Sequence, residues 1–235
     1  MYEELAKFYD LMYSFKEYKK EVKKLRKLIT QSKESDGKEL LDVACGTGNH
    51  LNFFKKYFNC TGIDINDEML KIAKEKVPNV KFEKANMINF NLGKEFDIIT
   101  CLFSSIGYVK TLSNLEQTLR NFSNHLRTGG IVIIEPWFTR ETYNVGTAHM
   151  ATYENDEVKI ARLNVSEIDD DVSIMDMHYL IATVAGIQYY KDHHELGLFS
   201  VDLTLNIMTN AGLNAKFLKN GLMRERGLYL GKKVK

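Results

Sequence analysis

Residues 40–51, LLDVACGTGNHL, constrain this chain more than any other stretch. Leu40, Leu41 and Val43 read as a buried strand, Gly46 and Gly48 as a tight turn, and Leu51, Phe54 and Phe58 as the apolar positions of a helix over 49–57. Small residues at Ala44, Gly46 and Gly48 let the backbone come close to a ligand, and the N-terminus of the following helix suits a nucleotide-like one. A strand, a glycine turn and a helix in that order predict an open α/β sheet.

The pattern repeats through residue 135. Strand 60–65 (CTGIDI) leads to a helix over 67–76, with Asn66 as its N-cap and Pro78 past its end. Strand 80–84, strand 96–101 (FDIITC), a helix opened by a Ser113/Glu116 capping box, and strand 131–135 after Gly129-Gly130 complete the series. Short apolar strands alternating with helices predict a parallel sheet covered on both faces. Residues 1–30 are helical in pattern, and their lysines read as a solvated face. From 147 to 197 the texture changes to alternating strands separated by Asn155-Asp156, Asp169-Asp170-Asp171 and Ala185-Gly186. We therefore expect an α/β domain over 1–146 and 198–235, with an inserted antiparallel β subdomain at 147–197. A helix from Val201 with Gly212 at its end, then strands near 213–219 and 227–233, close the chain.

Composition narrows the function classes. Thirty-two basic against 31 acidic residues leave a net charge of +1, so no global field draws in nucleic acid or an anionic membrane. No apolar run approaches a membrane span, and MYEELAKFYDLMY lacks a signal-peptide pattern. Cys45, Cys60 and Cys101 match neither zinc nor iron–sulfur spacing. The expectation is a cytoplasmic protein with buried thiols and no metal.

The glycine loop lacks the third small residue of a dinucleotide site, because Leu51 stands where G-x-G-x-x-G/A needs one, and it has no P-loop lysine. Asp64 ends the second strand, where a carboxylate can accept both hydroxyls of a ribose.

Asp42-Val-Ala-Cys-Gly-Thr-Gly resembles motif I of the class I S-adenosyl-L-methionine methyltransferases, usually D/E-x-G-x-G-x-G, with Ala44 at the first glycine position. Asp64 in GIDI, Asn86-Met87, FDIITCLFSSIGYV and LRTGGIVIIEPW follow in that family's order. The chain is similar in particular to the deoxyamino-sugar N,N-dimethyltransferases, through its YDLMY start, DVACGTGNH, FSSIGY, EPW, inserted strands and RGLYLG. The resemblance implies a Rossmann-like fold, S-adenosyl-L-methionine as cofactor and a small-molecule acceptor.

Carried over by motif, the cofactor-binding residues are Asp42, Ala44, Cys45, Gly46, Gly48, Asp64, Ile65, Met69, Asn86, Met87, Leu102 and Phe103, with Tyr13 and Tyr18 closing over the site or packing in their helices. Methyl transfer from a sulfonium to a neutral amine can rest on proximity and alignment, so no triad is required. Candidates for catalysis are Tyr13, His194 and Glu135; for the acceptor, Tyr13, Trp137, His178, His194 and Arg226. Glu135 can orient substrate or cap a helix, His194 can be structural, and Arg226 can pair with a diphosphate or lie on the surface. The inserted strands can shape the acceptor pocket, a homodimer interface, or both. Rival readings are methylation of another small amine, carboxylate or hydroxyl, a non-catalytic protein that binds the same cofactor, and an NAD-binding oxidoreductase. Nucleic-acid methylation is disfavoured, since LFSS follows the fourth strand where N/D-P-P-Y/F would grip a flipped base.

Overall fold

Alternation along three central strands sorts their apolar side chains onto two faces. In β1 (Glu39–Val43), Leu40 packs on one side and Leu41 and Val43 on the other; Ile98 and Ile99 do the same in β4 (Phe96–Cys101), and Ile133 and Ile134 in β5 (Leu126–Ile134). Helices must cover both faces. α2 (Tyr18–Ser32), α3 (Asn49–Phe54) and α4 (Asp67–Lys76) bury Leu25, Phe54 and Leu70 on one; α5 (Leu112–Asn124) and α6 (Val201–Asn210) bury Phe122 and Met208 on the other. Each fully buried Leu, Ile or Phe contributes about 1.5–3 kcal/mol.

This architecture comes from a computed structural model that describes residues 5–223 and 225–234. With β2 (Asn59–Asp64), β3 (Lys81–Lys84), β10 (Leu213–Leu218) and β11 (Leu228–Lys233), the sheet has seven strands in the order β10-β11-β5-β4-β1-β2-β3. β1 to β5 are parallel; β11 runs antiparallel to β5, and β10 to β11. The chain order reverses between β1 and β4, so the ligand crevice of an open α/β sheet lies beyond the carboxyl ends of these strands. A second sheet, β6 (Ala148–Glu154), β7 (Val158–Asp169), β8 (Val172–Thr183) and β9 (Gly186–Gly197), is an antiparallel meander between β5 and α6. Its inner face packs Ile160, Met175, Met177 and Leu196 against Leu5 and Met12 of the N-terminal segment.

Several local expectations shift. The N-terminal helical stretch is two helices, α1 (Ala6–Met12) and α2, and its first four residues lie outside the described ones. α3 ends at Phe54, where Tyr57 N–H bonds the Phe54 carbonyl (2.8 Å) and tightens the chain into a turn. Thr111 caps α5, not Ser113: its extended backbone lets its hydroxyl accept from Asn114 N–H (3.2 Å), while Ser113 is already helical. β5 begins at Leu126, ahead of Gly129-Gly130; Leu126 pairs with Phe96 and Ile131 with Ile98, so the extra residues bulge around Gly129 at φ 77°. None of the described helices is long and apolar enough to cross a membrane.

Candidate active site

The turn after β1 is built from left-handed backbone, at Ala44 (φ 55°), Gly46 (φ 54°) and Gly48 (φ 78°). Glycine adopts this freely, whereas an alanine at position 44 costs on the order of 1–2 kcal/mol, which is why that position of the motif is usually glycine. A Cβ added at Gly46 would meet nothing within 4 Å, so the loop borders open space there. At Gly48 it would sit 3.2 Å from Val77, so this glycine seats α3 against the end of α4.

Asp64, at the end of β2, faces this space. Its carboxylate accepts from Gly46 N–H (2.8 Å) and Asn66 N–H (3.0 Å), which locks the loop to the strand end. Burial raises its pKa, against the pull of those donors. A fixed carboxylate beside an open glycine loop fits an adenosine ligand with a free ribose diol. Asp42 lies beneath the loop instead: it is buried, accepts from the Thr100 hydroxyl (2.6 Å), and burial pushes its pKa up to about 6.

A cavity of about 1060 Å³ opens from this loop to the inner face of the four-stranded sheet. That exceeds the usual single-ligand pocket and admits two ligands end to end. Ala44, Gly46, Asp64, Ile65, Met69, Asn86 and Met87 line one end. Tyr13, Phe103, Trp137 and Arg226 line the rest, so eleven of the nominated residues converge here. Asn86 accepts Ile88 N–H (3.0 Å) on its amide oxygen, closing a tight turn that aims Met87 inward.

Eight nominated residues are not on its wall. Besides Asp42 and Gly48, Cys45 and Leu102 pack into the core beneath, and burial pushes the Cys45 thiol up. Tyr18 stacks edge-on against His50, 4.9 Å away, because its helix faces α3 rather than the cavity. His178 projects from the outer face of β8 and bonds Tyr189 there (2.7 Å), since even-numbered positions of that strand point outward. Glu135 is fully buried behind the wall, where its carboxylate accepts Phe103 N–H (2.8 Å). It braces a turn in which Phe103 (φ 53°) and Ser104 (φ 63°) are both left-handed. His194 is also fully buried, one layer behind Tyr108.

Sequence reasoning missed Tyr9, Tyr108, Arg162 and Asn164, which all line the cavity. Arg162, Asn164 and Ser166 share the inner face of β7 and could have been found from its alternation, given the direction of the core. Arg162 donates to the Tyr13 hydroxyl (3.0 Å). Arg226 donates to Ser104 (2.9 Å) and lies 4.5 Å over the Trp137 ring; burial lowers its pKa. The described carboxylates on the cavity wall, Asp64, Asp67 and Glu68, all sit at the glycine-loop end, whereas both guanidiniums lie at the other.

A short helix covers the site. α1 carries Tyr9 to the cavity, and Tyr13 follows as its C-cap. Asp10, next to Tyr9 on the neighbouring face of α1, accepts from Thr47 (2.7 Å) and Asn49 (2.8 Å) and pairs with Lys76. Lys76 also donates to Thr47 (3.0 Å) and Asn49 (2.9 Å), so α1, the glycine loop and α4 meet in one polar knot.

The model of a family described as "Methyltransferase domain" matches residues 40–130. The dTDP-3-amino-3,4,6-trideoxy-alpha-D-glucopyranose N,N-dimethyltransferase of Streptomyces venezuelae is 34% identical, over 98% of this chain and 99% of its own. The crystal structure of Streptomyces venezuelae DesVI superposes with a TM-score of 0.91 at 32% identity, covering 97% of this chain and 98% of that one. S-adenosyl-L-methionine-bound CalS10, an amino pentose methyltransferase from Micromonospora echinaspora, gives a TM-score of 0.84 at 27% identity, covering 93% and 92%.

Proposed function

Because the chain belongs to the S-adenosyl-L-methionine (SAM)-dependent methyltransferases, in one family with the sugar N,N-dimethyltransferase it matches along nearly its whole length, we propose that it methylates the amine of an amino sugar carried on a nucleoside diphosphate. The observation that carries this reading is the charge separation along the cavity: carboxylates at the glycine-loop end, Arg162 and Arg226 at the other. The buried Glu135 carboxylate offsets part of the Arg226 charge from behind the wall, while Arg162 sits against the Tyr13 and Tyr179 hydroxyls. The pair of guanidiniums on a wall whose carboxylates lie at the other end favours an anionic acceptor, and guanidinium matches phosphate oxygens bidentately.

SAM supplies a methyl group on a sulfonium, with a neutral thioether as leaving group. Asp64 would hold its ribose, Ala44 and Gly46 would give it close backbone access, and Ile65 and Met87 would flank its base. The chain's own task is then alignment of the amine, and exclusion of water by Tyr9, Tyr13 and Phe103. Tyr13 and Phe103 stack edge to face at 4.9 Å on the cavity wall. Residues 147–197 act in this reading as an inserted unit that shapes the acceptor wall. A homodimer through its outer face, where Leu163, Val165, Leu180 and Ile187 are exposed, is part of the same proposal, and light scattering of the purified protein tests it.

The acceptor test is methylation of dTDP-3-amino-3,6-dideoxyglucose and of the free amino sugar in parallel, followed by mass spectrometry. We expect one- and two-methyl products from the nucleotide-linked sugar, with kcat/KM at least 100-fold above that of the free sugar. Equal use of both would overturn the role given to the arginines. Methylation of neither, with turnover of a carboxylate or hydroxyl acceptor, would overturn the amine reading.

A further inference from the structure

Behind the acceptor end of the cavity stand three side chains that alignment alone does not require. Tyr108, on the 3-10 turn Ser105–Val109, lines the cavity. Its hydroxyl lies 2.8 Å from Nδ1 of His194, and Nε2 of the same ring lies 3.0 Å from an Asp192 carboxylate oxygen. His194 is fully buried and Asp192 is 5% exposed, among Met175, Met177 and Leu196. A buried carboxylate and imidazole are expensive to desolvate where an apolar pair would hold β9 equally well.

The contact with Asp192 sets the direction of the Tyr108–His194 hydrogen bond. The Nε2–Asp192 approach is a charge contact and not an aligned hydrogen bond, yet at 3.0 Å a bare Nε2 lone pair would face the carboxylate's own lone pairs, so Nε2 carries a proton. In the neutral ring Nδ1 is then an acceptor, and the Tyr108 hydroxyl donates to it. The phenol oxygen therefore turns lone pairs, not its hydrogen, toward the cavity.

We propose that Tyr108 is a catalytic residue that receives a proton from the acceptor nitrogen, and that His194 and Asp192 are the positioning residues that make this possible. The inference rests on the amine-acceptor reading above. An amino sugar arrives largely as an ammonium near neutral pH and has no lone pair with which to attack. In the relay, an N–H bond of the ammonium breaks as an O–H bond forms on Tyr108. The original phenol proton passes to Nδ1, leaving a free amine and an imidazolium against the Asp192 carboxylate, with overall charge unchanged. After product leaves, water in the cavity recovers the proton by the reverse route. The other titratable groups facing this trio are Tyr9 from α1, which faces Tyr108, and Tyr179 from β8, which faces Asp192 and is itself bonded to Arg162 of β7.

Two measurements test the relay, and the first needs no acceptor. In ¹⁵N-histidine spectra of the S-adenosylhomocysteine complex, His194 should be the Nε2–H tautomer, with an Nδ1 resonance that Tyr108→Phe moves toward that of an unbonded nitrogen. An Nδ1–H tautomer, or an Nδ1 resonance indifferent to Tyr108→Phe, overturns the proposal. Tyr108→Phe keeps the ring and its packing, so folding should not intervene. The second measurement is the pH dependence of kcat with dTDP-3-amino-3,6-dideoxyglucose. Tyr108→Phe and His194→Gln should lower kcat about 10- to 100-fold at pH 7, the scale of general-base catalysis. The loss should shrink toward pH 9 as the amine loses its proton unaided, with S-adenosylhomocysteine affinity within twofold of native. A native kcat and pH profile in Tyr108→Phe overturns the relay. If the native enzyme leaves this sugar unmethylated, the acceptor reading falls, and the tautomer measurement still decides the hydrogen-bond direction.

Discussion

Replacing Asp10 by alanine should loosen the cover of the active site without unfolding the protein. The side chain holds α1 to the glycine loop and α4 through Thr47, Asn49 and Lys76. Two hydrogen bonds to a partly exposed carboxylate contribute about 1 kcal/mol each, and a screened ion pair about 0.5 kcal/mol. Alanine is the better helix former by a few tenths of a kcal/mol, leaving a net loss of about 2 kcal/mol. Lys76 keeps its bonds to Thr47 and Asn49, so no buried charge is orphaned and the rest of the fold should not suffer. The ratio of closed to open α1 should therefore fall about 30-fold. Hydrogen exchange reads this directly: amides of residues 9–13 should lose about that factor of protection while those of β1, β4 and β5 keep theirs. Affinity for S-adenosylhomocysteine should fall by no more than the same factor, because a lid can cost binding only what its closure contributed. Protection of α1 within twofold of native would refute the argument, and would mean that Leu5 and Met12 hold the helix unaided.

Three further outcomes are expected. Asp64→Ala should weaken SAM binding at least tenfold by calorimetry, since the loop loses the carboxylate joining Gly46 to Asn66; unchanged affinity would remove Asp64 from the site. Tyr13→Phe, which deletes the hydroxyl bonded to Arg162, should lower turnover several-fold and leave cofactor affinity intact; equal loss of both would make Tyr13 part of the cofactor lid instead. Asp42 has a folded pKa of about 6 against 3.8, so its contribution to stability is fully present below about pH 4 and is lost as pH rises through 6. The stability of native protein relative to Asp42→Asn, from urea unfolding, should fall by up to about 3 kcal/mol between pH 4 and 7.5; a constant difference would show that Asp42 does not hold its proton in the folded state.

The glycine-loop half of the candidate site was legible because it is local. Ala44 to Gly48 must adopt a few backbone conformations within five residues, and Asp64 sits at the end of the adjacent strand, so motif and register together place it. The half proposed for the acceptor was not. His178 and His194 look alike in the sequence, sixteen residues apart on neighbouring strands. One points outward to Tyr189 and the other inward to Tyr108, and the choice depends on which face of the second sheet meets the core. Glu135 stands one residue past the end of β5, at the ligand edge, yet it turns back to hold Phe103 N–H, because two consecutive left-handed residues there need an acceptor. Ser113 lost the cap of α5 to Thr111 by two residues, a displacement that only backbone dihedrals reveal.

One consequence of how the cavity is closed concerns the order in which the chain is made. Leu5 and Met12 find their apolar partners on β7, β8 and β9, and Tyr13 meets Arg162 across 149 residues of chain. A helix made before every strand of either sheet is thus among the last elements to be placed. Until residue 196 has been synthesised, the apolar face of α1 lacks part of its docking surface, while the glycine loop near residue 46 and the strands beside it already exist. Non-local closure of this kind is slow and leaves apolar surface open in the meantime. The nascent protein should accordingly pass through a stage in which the parallel sheet is formed and the active site is still roofless.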